Sequence, residues 1–317
     1  MAKYLVTGGA GFIGSHVARS LVRMGHEVII VDLHGPNASE NHVEGAKLLS
    51  GSITNIEFIR SLFDESLAGC FHLAAVASVQ MCNEKWLASH QINAYGAVNI
   101  LRAATKHKTP VLYASSAAIY GNNTNLPLIE SEAPYPLSAY GVDKFADEMH
   151  GRVADTIHNI PNAGFRFFNV YGPGQDPASP YSGVISLFIN KILNKEPIEI
   201  NGDGEQSRDF IYVQDVVNAL IKTMHMKQKA QTGHEVFNVC TGKPVTINEL
   251  ASTIEDIVGY KVRRVFNEER AGDIKHSLGN PSKLQQHLNS SDFTELKHGL
   301  EKTIHSIELH SQKSRAS

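Results

Sequence analysis

The sequence predicts an α/β protein whose main domain contains a doubly wound parallel sheet and whose second α/β domain is smaller. Three observations support this. Short apolar runs alternate with amphipathic ones in the first half, a glycine-rich turn follows the first apolar run, and a segment rich in Gly, Pro, Asp and Ser begins near residue 170. A chain of 317 residues is long enough for one large domain or two unequal ones.

The apolar runs have the length and composition of buried strands. They are KYLVT (3–7), EVIIVD (27–32), CFHLAA (70–75) and PVLYASS (110–116). Between them, apolar residues recur every three to four positions, as in helices, in the segments FIGSHVARSLVRMG, NIEFIRSLFDESL and NEKWLASHQINAYGAVNILRAATKH. Strands that alternate with helices predict a parallel sheet covered on both faces.

A change of texture near residue 170 suggests the domain boundary. Beyond it the periodic segments become shorter and the loops richer in turn-forming residues, as in YGPGQDPASPYSG and NGDGEQSRDF. We predict a domain over residues 1–168 and a smaller one over residues 169–317, which interleave. The loops of the smaller domain are expected to close over the end of the sheet.

Composition and charge argue against several classes of protein. A net charge of −3 gives no reason to expect a nucleic-acid partner. Three cysteines without CxxC spacing indicate reduced thiols, and no apolar run reaches the length of a membrane span, so we expect a cytoplasmic protein with no membrane contact. None of the 16 histidines falls in a metal-binding motif, and no metal is predicted.

The turn VTGGAGFIG places Gly8, Gly11 and Gly14 between the first strand and the first helix. Glycine permits a tight turn and lets a pyrophosphate approach backbone N–H groups at a helix N-terminus. Asp32 ends the second strand, 18 residues after Gly14, where a carboxylate can accept hydrogen bonds from ribose hydroxyls. Because that carboxylate would repel a 2′-phosphate, the pattern predicts NAD as the cofactor rather than NADP.

The stretch LSAYGVDK contains Tyr140, the only one of ten tyrosines with a lysine, Lys144, four residues on. On a helix the phenol and the ammonium emerge on the same face. A phenol is a poor base at neutral pH, but a nearby ammonium, helped by the positive charge of an oxidised nicotinamide, favours the phenolate and lowers its pKa. We expect Tyr140 to take a proton from a substrate hydroxyl while Lys144 stabilises the phenolate and contacts the nicotinamide ribose.

Two serines follow the fourth predicted strand, in YASSAAIYG. This is the edge at which open parallel sheets bind ligands. The hydroxyl of Ser115 or Ser116 could hydrogen-bond the substrate oxygen that is oxidised, although serines at strand ends are also common loop caps.

Seven motifs occur in the order TGGAGFIGSH, HLAA, SSAAIYG, YGVDK, RFFNVYGP, NGDGEQSRDFIYV and RAGDIKHS. Together, over about residues 3–285, they resemble the nucleotide-sugar 4-epimerases of the extended short-chain dehydrogenase/reductase family. The resemblance implies a Rossmann domain with tightly bound NAD, a smaller domain that binds a UDP-sugar, and a homodimer formed through two helices per subunit. Residues 83–107 and 140–158 are the expected dimer helices.

The resemblance also implies roles for individual residues. The implied catalytic residues are Ser116, Tyr140 and Lys144. Besides the three glycines, Tyr140 and Lys144, the implied cofactor contacts are Phe12, Ile13, Asp32, Ser52, Ile53, Leu73, Ala74, Ala75 and Asn93. Diphosphate or uridine contacts are implied for Asn169, Arg208, Arg270 and Asp273, and further substrate contacts for Ser78, Ser116, Val184, Asn201 and Ser277. An arginine fork suits phosphate oxygens, which gives the arginine assignments a physical basis.

Two alanines, Ala117 and Ala118, follow Ser116 where related dehydratases and decarboxylases carry an acid. Because neither alanine can move a proton, the resemblance implies reversible oxidation at one carbon. A 4-keto sugar forms, turns about its diphosphate and is reduced on its other face. A UDP-sugar 4,6-dehydratase and a UDP-uronic-acid epimerase are the alternative enzymes, and a noncatalytic NAD-binding scaffold is the alternative of another class.

Ser277, in RAGDIKHS, matches a position that is bulky, often Tyr, in family members restricted to glucose and galactose. Serine leaves room for an acetamido group, which predicts interconversion of UDP-GlcNAc and UDP-GalNAc, with or without UDP-Glc and UDP-Gal. Ser52 departs from the family pattern, in which an Asp usually faces the adenine amino group. We expect that contact to be weaker or water-mediated here.

Overall fold

The computed structural model of the chain describes residues 1–33, 41–175, 183–230, 232–269, 274–290 and 292–316. Within these ranges the strands are β1 (Lys3–Thr7), β2 (Glu27–Asp32), β3 (Lys47–Ser50), β4 (Leu67–His72), β5 (Val111–Ser116), β6 (Asn162–Phe167), β7 (Asn169–Tyr171), β8 (Ile198–Asn201), β9 (Ser207–Tyr212), β10 (His234–Val239), β11 (Pro244–Thr246) and β12 (Arg264–Asn267).

The α-helices of the same ranges are α1 (Phe12–Arg23), α2 (Ile56–Arg60), α3 (Val79–Glu84), α4 (Trp86–His90), α5 (Gly96–Ala104), α6 (Ala139–His158), α7 (Val184–Leu193), α8 (Val213–Lys227), α9 (Ile247–Val258), α10 (Ser282–Leu288) and α11 (Leu296–Ala316). A π-helical turn over Gln91–Tyr95 joins α4 to α5, and a 3₁₀ turn over Ala117–Tyr120 follows β5.

Seven strands form the main sheet, in the order β10-β6-β5-β4-β1-β2-β3. Every neighbouring pair in this sheet is parallel, as expected when each crossover contains a helix. The strand order reverses beside β1, which places the carboxyl ends of β1 and β4 at the crevice where such sheets bind ligands. The predicted α/β fold with a doubly wound parallel sheet is confirmed.

Helices cover the main sheet on both faces. On one face, α1 and α8 contribute Val17, Leu21, Val216 and Leu220 to a buried cluster with Tyr4 of β1. On the other face, a second cluster joins side chains of α2 and α5 to the opposite sides of β1, β2 and β5. This two-sided burial explains why the strands consist of continuous apolar runs rather than alternating ones.

The smaller sheets and their helices have a separate core. Strands β11, β9 and β7 form one sheet, β12 and β8 form another, and α7, α9 and α11 pack around them. The division at residue 168 stays a prediction. Strand β10 and helix α8 lie beyond that residue yet pack with the main sheet, as interleaved domains require.

Several predicted elements differ in extent from those observed. Strand β3 was not predicted, so the strand that carries the two serines is the fifth and not the fourth. The run at 70–75 is strand only to His72, and the helical pattern of NIEFIRSLFDESL forms only the short α2 before β4 begins. The long helix expected over residues 83–107 is divided into α4, the π-helical turn and α5, with its first residues in α3. In the described part of the chain, none of the helices has the length and apolarity that a bilayer crossing demands.

Candidate active site

The turn between β1 and α1 is packed so closely that only glycine fits at two of its positions. Gly8 has a φ of +69°, and a Cβ there would lie 2.7 Å from the backbone nitrogen of Ala74. A Cβ on Gly14 would lie 2.2 Å from the carbonyl oxygen of Gly8. The glycines therefore let helix α1 start directly behind the turn, with its N-terminus facing the edge of the sheet.

This turn has the features that a dinucleotide needs. Helix α1 begins at Phe12, and the preceding N-cap residue, Gly11, has no side chain to cap the N–H groups of the first helical turn. Phe12 and Ile13, both partly exposed, contribute two of those N–H groups. Asp32 lies at the end of β2, and its carboxylate accepts a hydrogen bond from the Ala10 N–H at 3.1 Å. The residues present thus fit a pyrophosphate on the helix and a ribose beside Asp32.

The other predicted cofactor contacts border the same turn. Leu73, Ala74 and Ala75 follow β4, and the Ala74 backbone lies against Gly8. The amide of Asn93 bonds both backbone groups of Val76, so this side chain holds the 73–76 loop. Ser52 and Ile53 follow β3 at the far side of the crevice, and the Ser52 hydroxyl bonds that of Thr54 at 2.8 Å. Ser78 caps α3 by accepting from the Met81 N–H.

The structure distinguishes the two serines at the end of β5. Ser115 is buried, and its hydroxyl donates to Glu148 Oε1 at 2.6 Å, in a network that includes Arg166. Ser116 is partly exposed, and its hydroxyl accepts from the Ala118 N–H at the start of the 3₁₀ turn. The Ser115 hydroxyl is therefore occupied by a hydrogen bond in the protein interior, and Ser116 is the serine that faces the crevice.

Helix α6 brings Tyr140 to this serine. Ser138 caps the helix through the Gly141 N–H, and a Cβ on Gly141 would lie 2.7 Å from the carbonyl oxygen of Ala118. The glycine thus lets the first turn of α6 pack against the 3₁₀ turn that follows Ser116. Lys144 Nζ lies 6.0 Å from the centre of the Tyr140 ring, on the same helix face. Ser116, Tyr140 and Lys144 are brought together at the carboxyl end of β5.

Burial, and not the lysine, dominates the acidity of the phenol. Burial raises the pKa of Tyr140, while the Lys144 ammonium and the Ser116 hydroxyl lower it. The net shift of the Tyr140 pKa is upward. Lys144 therefore acts in the predicted direction, but in the protein chain without a cofactor the pKa is raised and not lowered. A phenol that is largely desolvated keeps its proton unless further positive charge lies near it.

An acid that sequence reasoning did not single out lies beside the lysine. Asp147 Oδ2 accepts from Lys144 Nζ at 3.0 Å, and both side chains are almost fully buried. Burial raises the pKa of Asp147 to about 6, and the neighbouring ammonium opposes this rise. Its position three residues after Lys144, on the same helix face, was the available signal.

Three of the predicted substrate residues, Asn169, Asn201 and Arg208, lie on strands of the smaller sheets. Arg208 is in β9, and the segment after residue 274 runs beside it, with the Ser277 N–H donating to the Ser207 carbonyl at 3.1 Å. Asn169 of β7 lies opposite Phe210 of β9. Val184 begins α7, Asn201 ends β8, and Arg270 and Asp273 fall outside the described residues.

A second acid that was not predicted fixes this arrangement. Asp209, next to Arg208, is fully buried and accepts hydrogen bonds from the Thr241 N–H and hydroxyl and from the Gly242 and Gly279 N–H groups. It thereby joins β9 to two later segments of the chain, around Thr241 and Gly279. Among the residues that the structure describes, no group of three or more His, Cys, Asp or Glu side chains is placed to hold a metal ion.

The fold and the glycine turn define a dinucleotide-binding protein of the doubly wound α/β class. Residues 4–240 match the family described as the NAD dependent epimerase/dehydratase family, and the chain belongs to that family. The predicted enzyme class and the predicted NAD cofactor are confirmed.

Similar proteins include enzymes with three different sugar substrates. UDP-glucose 4-epimerase of Thermotoga maritima, solved with UDP-glucose, is 34% identical, with 98% of this chain and 99% of that chain covered and a TM-score of 0.91. UDP-N-acetylglucosamine 4-epimerase of Methanobrevibacter ruminantium M1, solved with UDP-N-acetylmuramic acid, is 33% identical, covers 98% and 99%, and has a TM-score of 0.90. UDP-glucuronate 4-epimerase 4 of Arabidopsis thaliana is 30% identical over 95% of this chain and 74% of its own length.

Proposed function

We propose that the protein is a UDP-sugar 4-epimerase that interconverts UDP-GlcNAc and UDP-GalNAc, with UDP-Glc and UDP-Gal as possible further substrates. The observation that carries the proposal is the grouping of Ser116, Tyr140 and Lys144 at the carboxyl end of β5, on the same edge of the main sheet as the glycine turn after β1. Relatives over nearly the whole chain that act on UDP-sugars support the substrate class.

Each of the three side chains has a distinct task in this reaction. Tyr140 takes the proton of the substrate 4-hydroxyl and later returns it. The Ser116 hydroxyl hydrogen-bonds the same oxygen and holds it near the phenol. The Lys144 ammonium, which shares a helix face with Tyr140, stabilises the phenolate. NAD, when bound, supplies the hydride acceptor for C4 and the donor for the reverse transfer.

The residues after Ser116 favour epimerisation over loss of water or carbon dioxide. Ala117 and Ala118 lie in the 3₁₀ turn and offer no group that can exchange a proton. A 4-keto sugar formed at this site is therefore expected to be reduced again rather than to eliminate. A stable 4-keto-6-deoxy product would instead identify a 4,6-dehydratase.

The contacts on the substrate side suggest which part of the substrate is held. Arg208 and Asn169 lie on neighbouring strands, and Asp209 ties β9 to the segments around Thr241 and Gly279. We expect these residues to hold the diphosphate, with Arg270 and Asp273 as further predicted contacts. A firm hold on the diphosphate leaves the hexose free to turn between oxidation and reduction.

Ser277 carries the proposed sugar preference. It is partly exposed and lies beside Ser207, next to the proposed diphosphate contact Arg208. We expect Ser277→Tyr to reduce turnover of UDP-GlcNAc by about tenfold or more, because a ring would fill the acetamido space, and to spare UDP-glucose. Epimerisation assays on UDP-GlcNAc, UDP-glucose and UDP-glucuronate test this. Unchanged UDP-GlcNAc turnover in the variant would remove the argument, and preferred turnover of UDP-glucuronate would favour the uronic-acid alternative.

Tyr140→Phe tests whether the protein is a catalyst at all. Loss of the general base is expected to lower turnover by about 10²-fold or more without loss of bound NAD. Tyr95→Phe, at a half-exposed tyrosine on the π-helical turn, is the matched control. A Tyr140→Phe variant as active as the parent would support the noncatalytic scaffold.

We also propose a homodimer that buries the outer faces of α4 and α6. These helices pack side by side and expose large apolar side chains. The exposed residues are Trp86 and Leu87 on α4 and Val142, Val153 and Ile157 on α6. Several exposed large apolar side chains on a pair of packed helices are typical of a subunit interface.

A further inference from the structure

The inner face of α6 contains a buried ion pair. Lys144 Nζ donates to Asp147 Oδ2 at 3.0 Å, with side-chain exposures of 2% and 1%. In the described part of the chain, Asp147 Oδ1 has no hydrogen-bond partner. The lysine is therefore the group that orients this carboxylate.

Tyr140, Lys144 and Asp147 follow one another along the same helix face. Tyr140 lies four residues before Lys144 and Asp147 three residues after it, about one helical turn in each direction. The ammonium thus interacts with a phenol on one side and with a carboxylate on the other. Any negative charge on Asp147 opposes ionisation of Tyr140 and reduces the pull of Lys144 on the phenolate.

The pair is ionised at neutral pH. Burial raises the pKa of Asp147 to about 6, and Lys144 counteracts this, so the carboxylate is mainly charged at pH 7. Burial alone lowers the pKa of Lys144, but the charges of Asp147 and Tyr140 outweigh burial and raise it above the usual value. The charges of Asp147, the Tyr140 phenolate and Asp143 together keep the ammonium charged in the core.

We propose that Asp147 is a positioning residue that competes with the Tyr140 phenolate for the Lys144 ammonium and thereby sets the pH at which the phenol ionises. The proposal deepens the proposed function, since it rests on Tyr140 as the base. It predicts that loss of the Asp147 charge makes the phenol easier to ionise.

Two other buried acids on α6 pair with residues outside the Tyr140–Lys144–Asp147 group. Asp143 bonds His90 of α4 at 2.7 Å, and Glu148 makes a two-point pair with Arg166 of β6. From neighbouring elements, His72, Cys82 and Tyr113 interact with Tyr140, Lys144 or Asp147. The other titratable groups there face Asp143, Glu148 or the Arg166 pair, namely His90, Arg166, His234 and Tyr120. Burial lowers the pKa of His72 to about 3 and raises the pKa of the Cys82 thiol, so neither is charged at neutral pH.

The test is a titration of Tyr140 in the full-length protein, with its NAD content measured. The ultraviolet phenolate absorbance of each protein minus that of its Tyr140→Phe counterpart isolates this one phenol. In Asp147→Asn we expect about tenfold more Tyr140 phenolate at a given pH below the midpoint, the effect of one nearby charge. The acid limb of the pH profile of kcat/KM is expected to move to lower pH by the same amount.

Asp143→Asn is the matched control. Asp143 is equally buried, lies on the same helix and is adjacent to Lys144, but it bonds His90 instead. We expect it to leave the Tyr140 midpoint near that of the parent. An unchanged midpoint in folded Asp147→Asn, or an equal fall in Asp143→Asn, would overturn the proposal.

Two further arms keep the result interpretable. Asp147→Glu retains the charge, so its Tyr140 midpoint is expected to stay near the parent value. If Asp147→Asn does not fold, a fall of the Tyr140 midpoint in Asp147→Glu overturns the proposal by itself. Because the titration needs no turnover, a parent protein that epimerises no UDP-sugar refutes the proposed function alone. The phenol midpoints then still decide the role of Asp147.

Discussion

Gly14→Ala is the sharpest test of the cofactor turn. An ideal Cβ on Gly14 lies 2.2 Å from the carbonyl oxygen of Gly8, and one on Gly11 lies 3.2 Å from the same oxygen. Ordinary contacts of this kind require roughly 3.5 Å. The turn must therefore move by more than about 1 Å to accept Gly14→Ala, but only by a few tenths of an ångström to accept Gly11→Ala.

The size of the effect follows from this difference. Inserting one methyl group into a packed site costs about 1–3 kcal/mol. Because about 1.4 kcal/mol corresponds to a tenfold change in affinity, and because the displaced carbonyl belongs to the turn that would cradle the pyrophosphate, we expect NAD to bind roughly 5- to 150-fold more weakly. Gly11→Ala should lose less than about tenfold, since its neighbour needs to move much less.

The assay is titration calorimetry of NAD with each variant, with thermal unfolding as a check on the fold. NAD released on denaturation of the purified protein gives an independent measure of retention. Gly11→Ala is the matched control for Gly14→Ala: it is the same substitution, it lies at the start of the same helix, and its new methyl group approaches the same oxygen, that of Gly8. If Gly14→Ala binds NAD as tightly as Gly11→Ala does, the turn is not the pyrophosphate cradle and the reasoning is refuted.

Three further predictions follow from buried and exposed groups. The pKa of His72 falls from 6.5 to about 3 on burial, so the folded protein binds fewer protons than the unfolded chain does. The resulting stability is present above pH 6.5 and is lost as the pH falls towards 3. His72→Gln should flatten this dependence by about 2 kcal/mol between pH 6.5 and 4.5 in urea unfolding. Glu148→Gln breaks the buried pair with Arg166 and should lower the free energy of unfolding by about 3–5 kcal/mol. Glu295→Gln, in the exposed pair with Lys243, should lower it by less than about 1 kcal/mol. Equal losses in urea unfolding would show that the Glu148–Arg166 pair is not a buried ion pair. Ile157→Glu should convert the proposed dimer to a monomer in sedimentation velocity, and a parent that sediments as a monomer rules the dimer out.

The main sheet was predictable because its physics is visible in the sequence. Strands buried on both faces consist of uninterrupted apolar residues, and glycines mark the turn in which backbones approach closely. Strand β3 gave a weaker signal, since KLLS is only four residues long, lies at the edge of the sheet and is partly exposed throughout. The break between α4 and α5 was also hidden, because a π-helical turn hardly changes the spacing of apolar residues.

The sequence indicated the individual residues of the candidate site, but not their burial or the shifts in their pKa values. The spacing of Tyr140 and Lys144 placed them on one helix face, yet spacing does not report burial, which outweighs the lysine in setting the Tyr140 pKa. The role of Asp209 was equally hidden, because its four hydrogen bonds come from residues 32 to 70 positions away. Ser115 and Ser116 could be distinguished only when Glu148 was found beside the first.

Helix α6 differs from an ordinary surface helix in the placement of its charged and apolar residues. Its core-facing side carries ionisable residues that are about 1% exposed, namely Asp143, Lys144, Asp147 and Glu148. Its outer side carries the exposed apolar residues Val142, Val153 and Ile157. Burying charges contributes little stability compared with a well-packed apolar face, so a helix that needed only to fold would have the opposite arrangement. In the proposed enzyme, Lys144 and Asp147 serve proton chemistry at Tyr140 and the outer apolar residues face the proposed second subunit, so this one helix would connect catalysis with assembly.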